Sequence, residues 1–197
     1  MQKLNTPGKV QDFLNGLKFN FEIGGETLKS PVMVLRTKNA HCLEGALFGA
    51  FMLSRLPHGG LTPYVLHLKS IKDDYDHVIA PFKMRGLWGA LSKTNHAVLR
   101  YREPIYRNIR ELVMSYFHEY FLNSGKKTLR QYSKLLNLNT FPKDWMMQED
   151  NLWDIDKKLD KIKHYDIAPG KILKNLRKAD KVEIEAGKIV EYRKRKK

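Results

Sequence analysis

An α+β domain, with one buried helix laid against a run of strands and further helices behind, is predicted from three observations. Residues 42–55 hold Leu43, Ala46, Leu47, Ala50, Phe51 and Leu53 with little polar interruption, and a helix apolar on most faces belongs at the centre of a fold. Runs rich in Val, Ile and aromatic residues follow at 63–68, 77–82 and 87–91, the composition of strands. Beyond Pro104 the apolar spacing turns helical again. One helix, then several strands, then helices is the α+β order rather than an alternating one.

Taken in order, residues 9–17 (KVQDFLNGL) read as a short amphipathic helix with Val10, Phe13, Leu14 and Leu17 on one face. Phe19 and Phe21 alternate with polar residues before a Gly24-Gly25 turn, and the apolar run 31–35 leads into the central helix. Pro57, Gly59 and Gly60 end that helix, and the polar run 72–76 joins the first two strands. Residues 95–101 extend the sheet. Residues 105–122 carry Ile109, Leu112, Val113, Tyr116, Phe117 and Tyr120 at helical spacing, with His118 packed among the aromatics. A second helix is expected at 128–136, capped by Thr128, and a third at 151–162 on the stripe Leu152, Ile155, Leu159 and Ile162. Gly187 between Val182-Glu183-Ile184 and Ile189-Val190 suggests a late hairpin. Trp145 and Trp153 are expected to pack these later elements onto the core. The division that follows is a core over 1–122, a mostly helical C-terminal extension over 123–192 and a basic tail over 193–197.

The chain has 197 residues, of which 42% are hydrophobic, enough for one real core. Its longest apolar stretch, 46–53, is far too short to span a bilayer, and residues 1–17 lack the continuous apolar segment of a signal peptide. The single cysteine makes neither an internal disulfide nor a structural zinc site. A reducing, cytoplasmic setting without membrane association is therefore expected. The net charge is +15, and residues 171–197 hold eleven Lys/Arg against four Asp/Glu. A solvated end is the plain reading of that bias. An acidic or nucleic-acid partner drawn to the basic tail is the functional one. No cluster has metal-ligand spacing and no glycine loop cradles phosphate, so neither a metal nor a cofactor is expected.

The one cysteine, Cys42, begins the central helix, and His77 opens a strand 35 positions later. A thiol is nucleophilic as thiolate, and three local features favour that form. The helix N-terminus carries partial positive charge, Arg36, Lys38 and His41 add cationic groups, and a paired His77 takes the proton. A lone cysteine at the start of an apolar helix is otherwise a small core residue.

The segment 35–101 resembles the core of the transglutaminase-like superfamily, a branch of the papain-like thiol fold. The family tends to show Cys-x-(Asp/Glu)-x-Ala, as Cys42-Leu43-Glu44-Gly45-Ala46 does, then a turn like Leu56-Pro57 and a strand like Thr62-Pro63-Tyr64-Val65. Its histidine opens the next strand, as His77-Val78-Ile79-Ala80 does, and Gly86-Leu87-Trp88 matches its Gly-x-Trp. The resemblance implies a transglutaminase-like/papain-like core, the central helix packed on an antiparallel sheet, plus the helical extension. It also implies a Cys42–His77 pair acting on a peptide, isopeptide or amide bond of a peptide or protein substrate.

The chain departs from the family at the third residue. The position of the family acid, about four residues past the tryptophan, is Ser92, and 92–96 contains no carboxylate. Ser92 or Asn95 is then the group expected to orient His77, less strongly than an acid would. His41 and Trp88 are expected to line the cleft, and Glu44 to border it while ordering the helix start. Two functions follow: a cysteine hydrolase or acyltransferase, or a catalytically inactive domain of this fold that binds a peptide partner or, less favoured, nucleic acid.

Overall fold

The computed structural model describes residues 4–57 and 59–192; the basic tail expected over 193–197 lies outside them. The architecture is mixed α+β, with an antiparallel sheet and seven α-helices among the described residues.

Helix α1 (Pro7–Gly16) starts where Thr6 caps the Lys9 N–H and proline supplies the first helical φ. Two short parallel strands, β1 (Lys18–Phe19) and β2 (Asn39–Ala40), flank α2 (Pro31–Thr37). Lys38 ends α2 in the left-handed region at φ 55°, which turns the chain straight into β2 and then into α3 (Cys42–Ser54). That helix buries nine of its thirteen residues.

The sheet runs β6 (Arg102–Tyr106), β5 (Leu87–Leu91), β4 (His77–Met84), β3 (Tyr64–Lys69), β7 (Gln131–Ser133) and β9 (His164–Asp166), with β8 (Leu136–Asn137) also pairing β3. β4 and β5 form a hairpin whose turn residues Arg85 and Gly86 both have positive φ, 49° and 84°, as a type I′ turn requires. On the inner face Val65, Val78, Ala80 and Phe82 meet α3 and α1 through Leu47, Phe48 and Leu14. On the outer face Leu66, Leu68, Ile79 and Ala90 meet α4 (Ile109–Phe117) through Leu112, Val113 and Tyr116.

α3 lies unusually close to the end of β5 because two of its residues have no side chain. A Cβ on Gly45 would fall 2.3 Å from Lys93 Cβ, and one on Gly49 would fall 2.9 Å from Leu91 Cδ1. Glycines four apart share one helix face, and this face brings the start of α3 beside the 92–95 segment.

Several elements differ from expectation. The segment 128–136 forms strands, not a helix. Thr128 is no cap: its N–H bonds the Tyr120 carbonyl, and Gln131 and Tyr132 complete the open side of β3 opposite Lys69 and Leu68. The 123–192 segment holds more helix than strand, yet it does not merely pack on the core, because β7, β8 and β9 are strands of the central sheet. The strand placed at 95–101 lies instead at 102–106, because Leu99 takes φ 61° and Pro104 favours an edge strand, which β6 is. Its presence delays α4, which Asn108 caps through the Glu111 N–H at 2.9 Å. The late hairpin is instead a helix, α7 (Lys181–Gly187), started by an Asp180/Glu183 capping box. α5 (Trp153–Lys161) falls within the expected 151–162 helix, and α6 (Gly170–Lys174) is a short turn of helix between β9 and α7. Trp145 is buried edge-on against Phe51, Trp153 stays partly exposed, and His118 is exposed rather than packed.

Candidate active site

Cys42 is the first residue of α3 and is half-buried at the floor of a cavity of about 490 Å³. His41 and His77 line the same cavity. Burial alone would push the Cys42 thiol up. The hydrogen bonds and positive charge of His41 and His77 more than reverse this and lower it from 9.0 to about 5. The partner shift at His41 has the same origin. Burial alone would lower its imidazole, but the bond to and charge of the Cys42 sulfur, then the Glu44 carboxylate and the Thr27 carbonyl, raise it from 6.5 to about 9.

The hydrogen-bond partners define which ring nitrogen does what. His41 Nε2 donates to the Thr27 carbonyl at 2.8 Å, while its Nδ1 faces the Leu43 N–H at 3.3 Å. Nδ1 accepts that N–H and so caps the start of α3. Ser92 Oγ donates to the Leu99 carbonyl at 2.6 Å. Its one proton is committed there, so at 2.8 Å from His77 Nε2 the serine oxygen accepts. Nε2 therefore carries a proton, which leaves Nδ1 of His77 as the nitrogen available to the thiol.

Ser92 is held in turn by Gln11 of α1. Gln11 Oε1 accepts the Ser92 N–H at 2.9 Å and Gln11 Nε2 donates to the Ser92 carbonyl at 2.8 Å. This buried amide pairs with Ser92 as a neighbouring strand would. Leu99 is fixed by Glu119, whose carboxylate accepts the Leu99 N–H at 2.8 Å and the Arg102 guanidinium at 2.6 Å.

Glu44 does not line the cavity. It is fully buried behind the helix start, where it accepts from Thr27 Oγ1 (2.7 Å), Lys29 N–H (3.0 Å), His41 N–H (3.0 Å) and Asn20 Nδ2 (3.2 Å). Burial opposes the charged form, but the His41 charge and these donors win and hold the carboxyl below its ordinary value. Glu44 thereby ties the 20–29 loop to the cap of α3 and aims the Thr27 carbonyl at His41.

Asn95 lines the cavity, but its amide is engaged elsewhere. Nδ2 donates to the Tyr192 carbonyl and Oδ1 accepts the Tyr192 N–H, both at 2.8 Å. The orienting contact to His77 is made by Ser92 and not by Asn95. Trp88 is not a cleft residue: it sits on the outer face of β5, 6.3 Å from the Tyr64 ring, with Lys83 Nζ 5.5 Å above it. The Gly-x-Trp spacing carried no information about which face of the strand the ring would take. Arg36 and Lys38 also turn from the thiol, Arg36 pairing with Glu149 and Lys38 resting over Phe13.

Gln11, Thr27, Leu99 and Glu119 have roles the sequence did not suggest, because each acts across 7 to 81 positions of chain. Neither a scan against protein-family models nor a search of curated proteins finds a match to this chain. Among the described residues no helix is long and apolar enough to cross a membrane.

Proposed function

We propose that this protein is a transglutaminase-like cysteine enzyme that cleaves or transfers the acyl group of a peptide, isopeptide or amide bond. The observation that carries the reading is the Cys42 thiol at the start of α3 in one cavity with the His41 and His77 imidazoles, the second of them anchored by Ser92 Oγ.

In this reading the Cys42 thiolate attacks the carbonyl carbon, and the oxyanion develops beside the N-terminus of α3, whose partial positive charge stabilises it. The His77 imidazolium then donates a proton to the departing amine as the C–N bond breaks, leaving a thioester on Cys42. Water or a second amine, deprotonated by His77, attacks the thioester and releases the thiolate. Ser92 orients the ring through the Nε2–H and leaves Nδ1 for proton transfer. His41 contributes a second positive charge, which holds the sulfur ionised in the resting state.

The experiment is the rate of Cys42 alkylation by iodoacetamide against pH, for wild type, His77→Ala and His41→Ala. A midpoint near 5 that rises in both variants supports the activated thiol. A midpoint at the ordinary cysteine value of about 8.5 in wild type overturns it.

A second reading, a binding domain of this kind without turnover, is favoured by one observation: the group on His77 Nε2 is a neutral hydroxyl, which stabilises an imidazolium less than a carboxylate does. Under that reading Cys42 alkylates readily, yet an activated acyl ester leaves no transient acyl adduct detectable by mass.

A further inference from the structure

We propose that the aromatic part of the outer face of the sheet, beside α4 and on the side away from α3, is a binding platform for single-stranded nucleic acid. This inference is independent of the chemistry proposed for Cys42.

Four aromatic rings lie on this face: Trp88 on β5, Tyr64 on β3 across the intervening β4, Tyr132 on β7 and Tyr165 on β9. They pair at 6.3 Å (Tyr64 with Trp88) and 5.5 Å (Tyr132 with Tyr165) between ring centroids. None is fully buried, and Tyr165 is 38% exposed. Tyr64, Tyr132 and Tyr165 also line a hollow of about 940 Å³ together with Phe141, Lys134 and Lys158. Two more lysines sit directly on the rings, Lys83 Nζ at 5.5 Å over Trp88 and Lys163 Nζ at 5.1 Å over Tyr165.

The composition of this face selects the ligand. Rings on one sheet face offer stacking surfaces to unpaired bases, and a paired duplex hides the faces they would use. Lys83, Lys134, Lys158 and Lys163 offer cations to a phosphate backbone. No Asp or Glu among the described residues lines the hollow, and the whole chain carries +15. The Cys42 cavity has the opposite character, with Glu22, Asp74, Asp76 and Glu119 in its wall, so a polyanion is directed to the outer face rather than to the thiol. The sequence hides the arrangement because Tyr64, Trp88, Tyr132 and Tyr165 come from four strands spread over 102 positions.

The test is fluorescence anisotropy of the full-length protein with a labelled 15-nucleotide oligouridylate, a duplex of equal length and polyglutamate as competitor, each over a salt series. The expected result is tighter binding of the single strand than of the duplex. Tyr132→Ala/Tyr165→Ala should weaken it at least tenfold with the salt slope unchanged. Lys83→Gln/Lys134→Gln/Lys158→Gln should make the slope shallower by about 2, at roughly 0.7 per lost phosphate contact on a single strand. Tyr165→Ala alone, at the most exposed of the rings, keeps the test valid if the double variant fails to fold by circular dichroism. The proposal is overturned if the single strand does not bind at low salt, if the duplex binds equally well, if the tyrosine variants bind like wild type, or if polyglutamate of matched charge displaces the strand as well as unlabelled oligouridylate does.

Discussion

Ser92 Oγ accepts from His77 Nε2 at 2.8 Å while donating to the Leu99 carbonyl at 2.6 Å. The hydroxyl has one proton, and Leu99 claims it, so the ring must supply the other. A serine can thus fix the tautomer of a neighbouring histidine where an acid would do so by charge. Ser92→Ala is expected to leave the Leu99 carbonyl and the His77 N–H without partners, at a cost of about 1–3 kcal/mol for a buried orphaned group, read by urea denaturation. It should also slow Cys42 alkylation at neutral pH. Ser92→Asp should not improve on wild type, because its carboxylate would face the Leu99 carbonyl that now accepts a proton.

The coupled groups fix a pH profile. Cys42 is depressed from 9.0 to about 5 in the folded state, so its stabilising contribution is fully present above pH 9 and is lost as pH falls through 5. His41 is raised from 6.5 to about 9, so its contribution is full below 6.5 and is lost as pH rises through 9. Alkylation should be nearly flat across pH 6–9 and fall steeply below 5. The stability gap between wild type and Cys42→Ala should be large at pH 7 and close at pH 4. A gap that is unchanged at pH 4 would mean that the ion pair is absent.

Glu44 predicts a different kind of loss. With four hydrogen-bond donors around a carboxylate that is fully buried, Glu44→Gln must turn an N–H₂ group toward one of those donors. Removing one member of a buried charged network costs about 3–5 kcal/mol. The variant should melt earlier and lose the ordered 20–29 loop to proteolysis. Its thiol should alkylate with a raised midpoint, because Thr27 no longer aims at His41.

Gly45 sets how closely the start of α3 approaches the 92–95 segment. A methyl group there meets Lys93 Cβ at 2.3 Å, a contact that only a shift of α3 or of the 92–95 segment relieves. Gly45→Ala is expected to cost about 1–3 kcal/mol by overpacking and to slow alkylation further than that loss explains. Gly8, where an added Cβ meets nothing within 4 Å, is the control: Gly8→Ala within α1 should leave alkylation unchanged and, if anything, stabilise the fold by about 0.4–1 kcal/mol.

The central helix and the three strands after it were legible because their signals are local: an unbroken apolar run and short β-branched runs bounded by turns. Cys42 and His77 stood out as candidates because one begins the central helix and the other begins a strand. What was not legible depends on distance. The segment 128–136 has helical composition but is drawn into the sheet by the open side of β3, and no local preference reports that. Trp88 was expected in the cleft because its spacing fits, while strand alternation put its ring on the far face. The Asp180/Glu183 capping box starts a helix over β-branched residues whose local preference is for strand. Gln11 gave no sign at all, because its partner is 81 positions away.

Gln11 therefore makes the sharpest test of how the site is positioned. It touches neither the thiol nor His77, and its two bonds go to the Ser92 backbone. Its spare N–H is satisfied by Asn15 Oδ1 at 2.8 Å, so the amide cannot swivel away without losing three contacts. Gln11→Ala should orphan the Ser92 N–H and carbonyl at a cost of about 1–3 kcal/mol. Gln11→Glu keeps the acceptor for the N–H but sets a carboxylate against the Ser92 carbonyl, so it should be at least as damaging. A purely structural role would lower the melting temperature and leave the alkylation midpoint of the surviving folded protein near 5. A positioning role moves that midpoint upward, because Ser92 then drifts from His77 Nε2 and the ring loses the orientation that stabilises the thiolate. Measuring both quantities on the same two variants separates the outcomes.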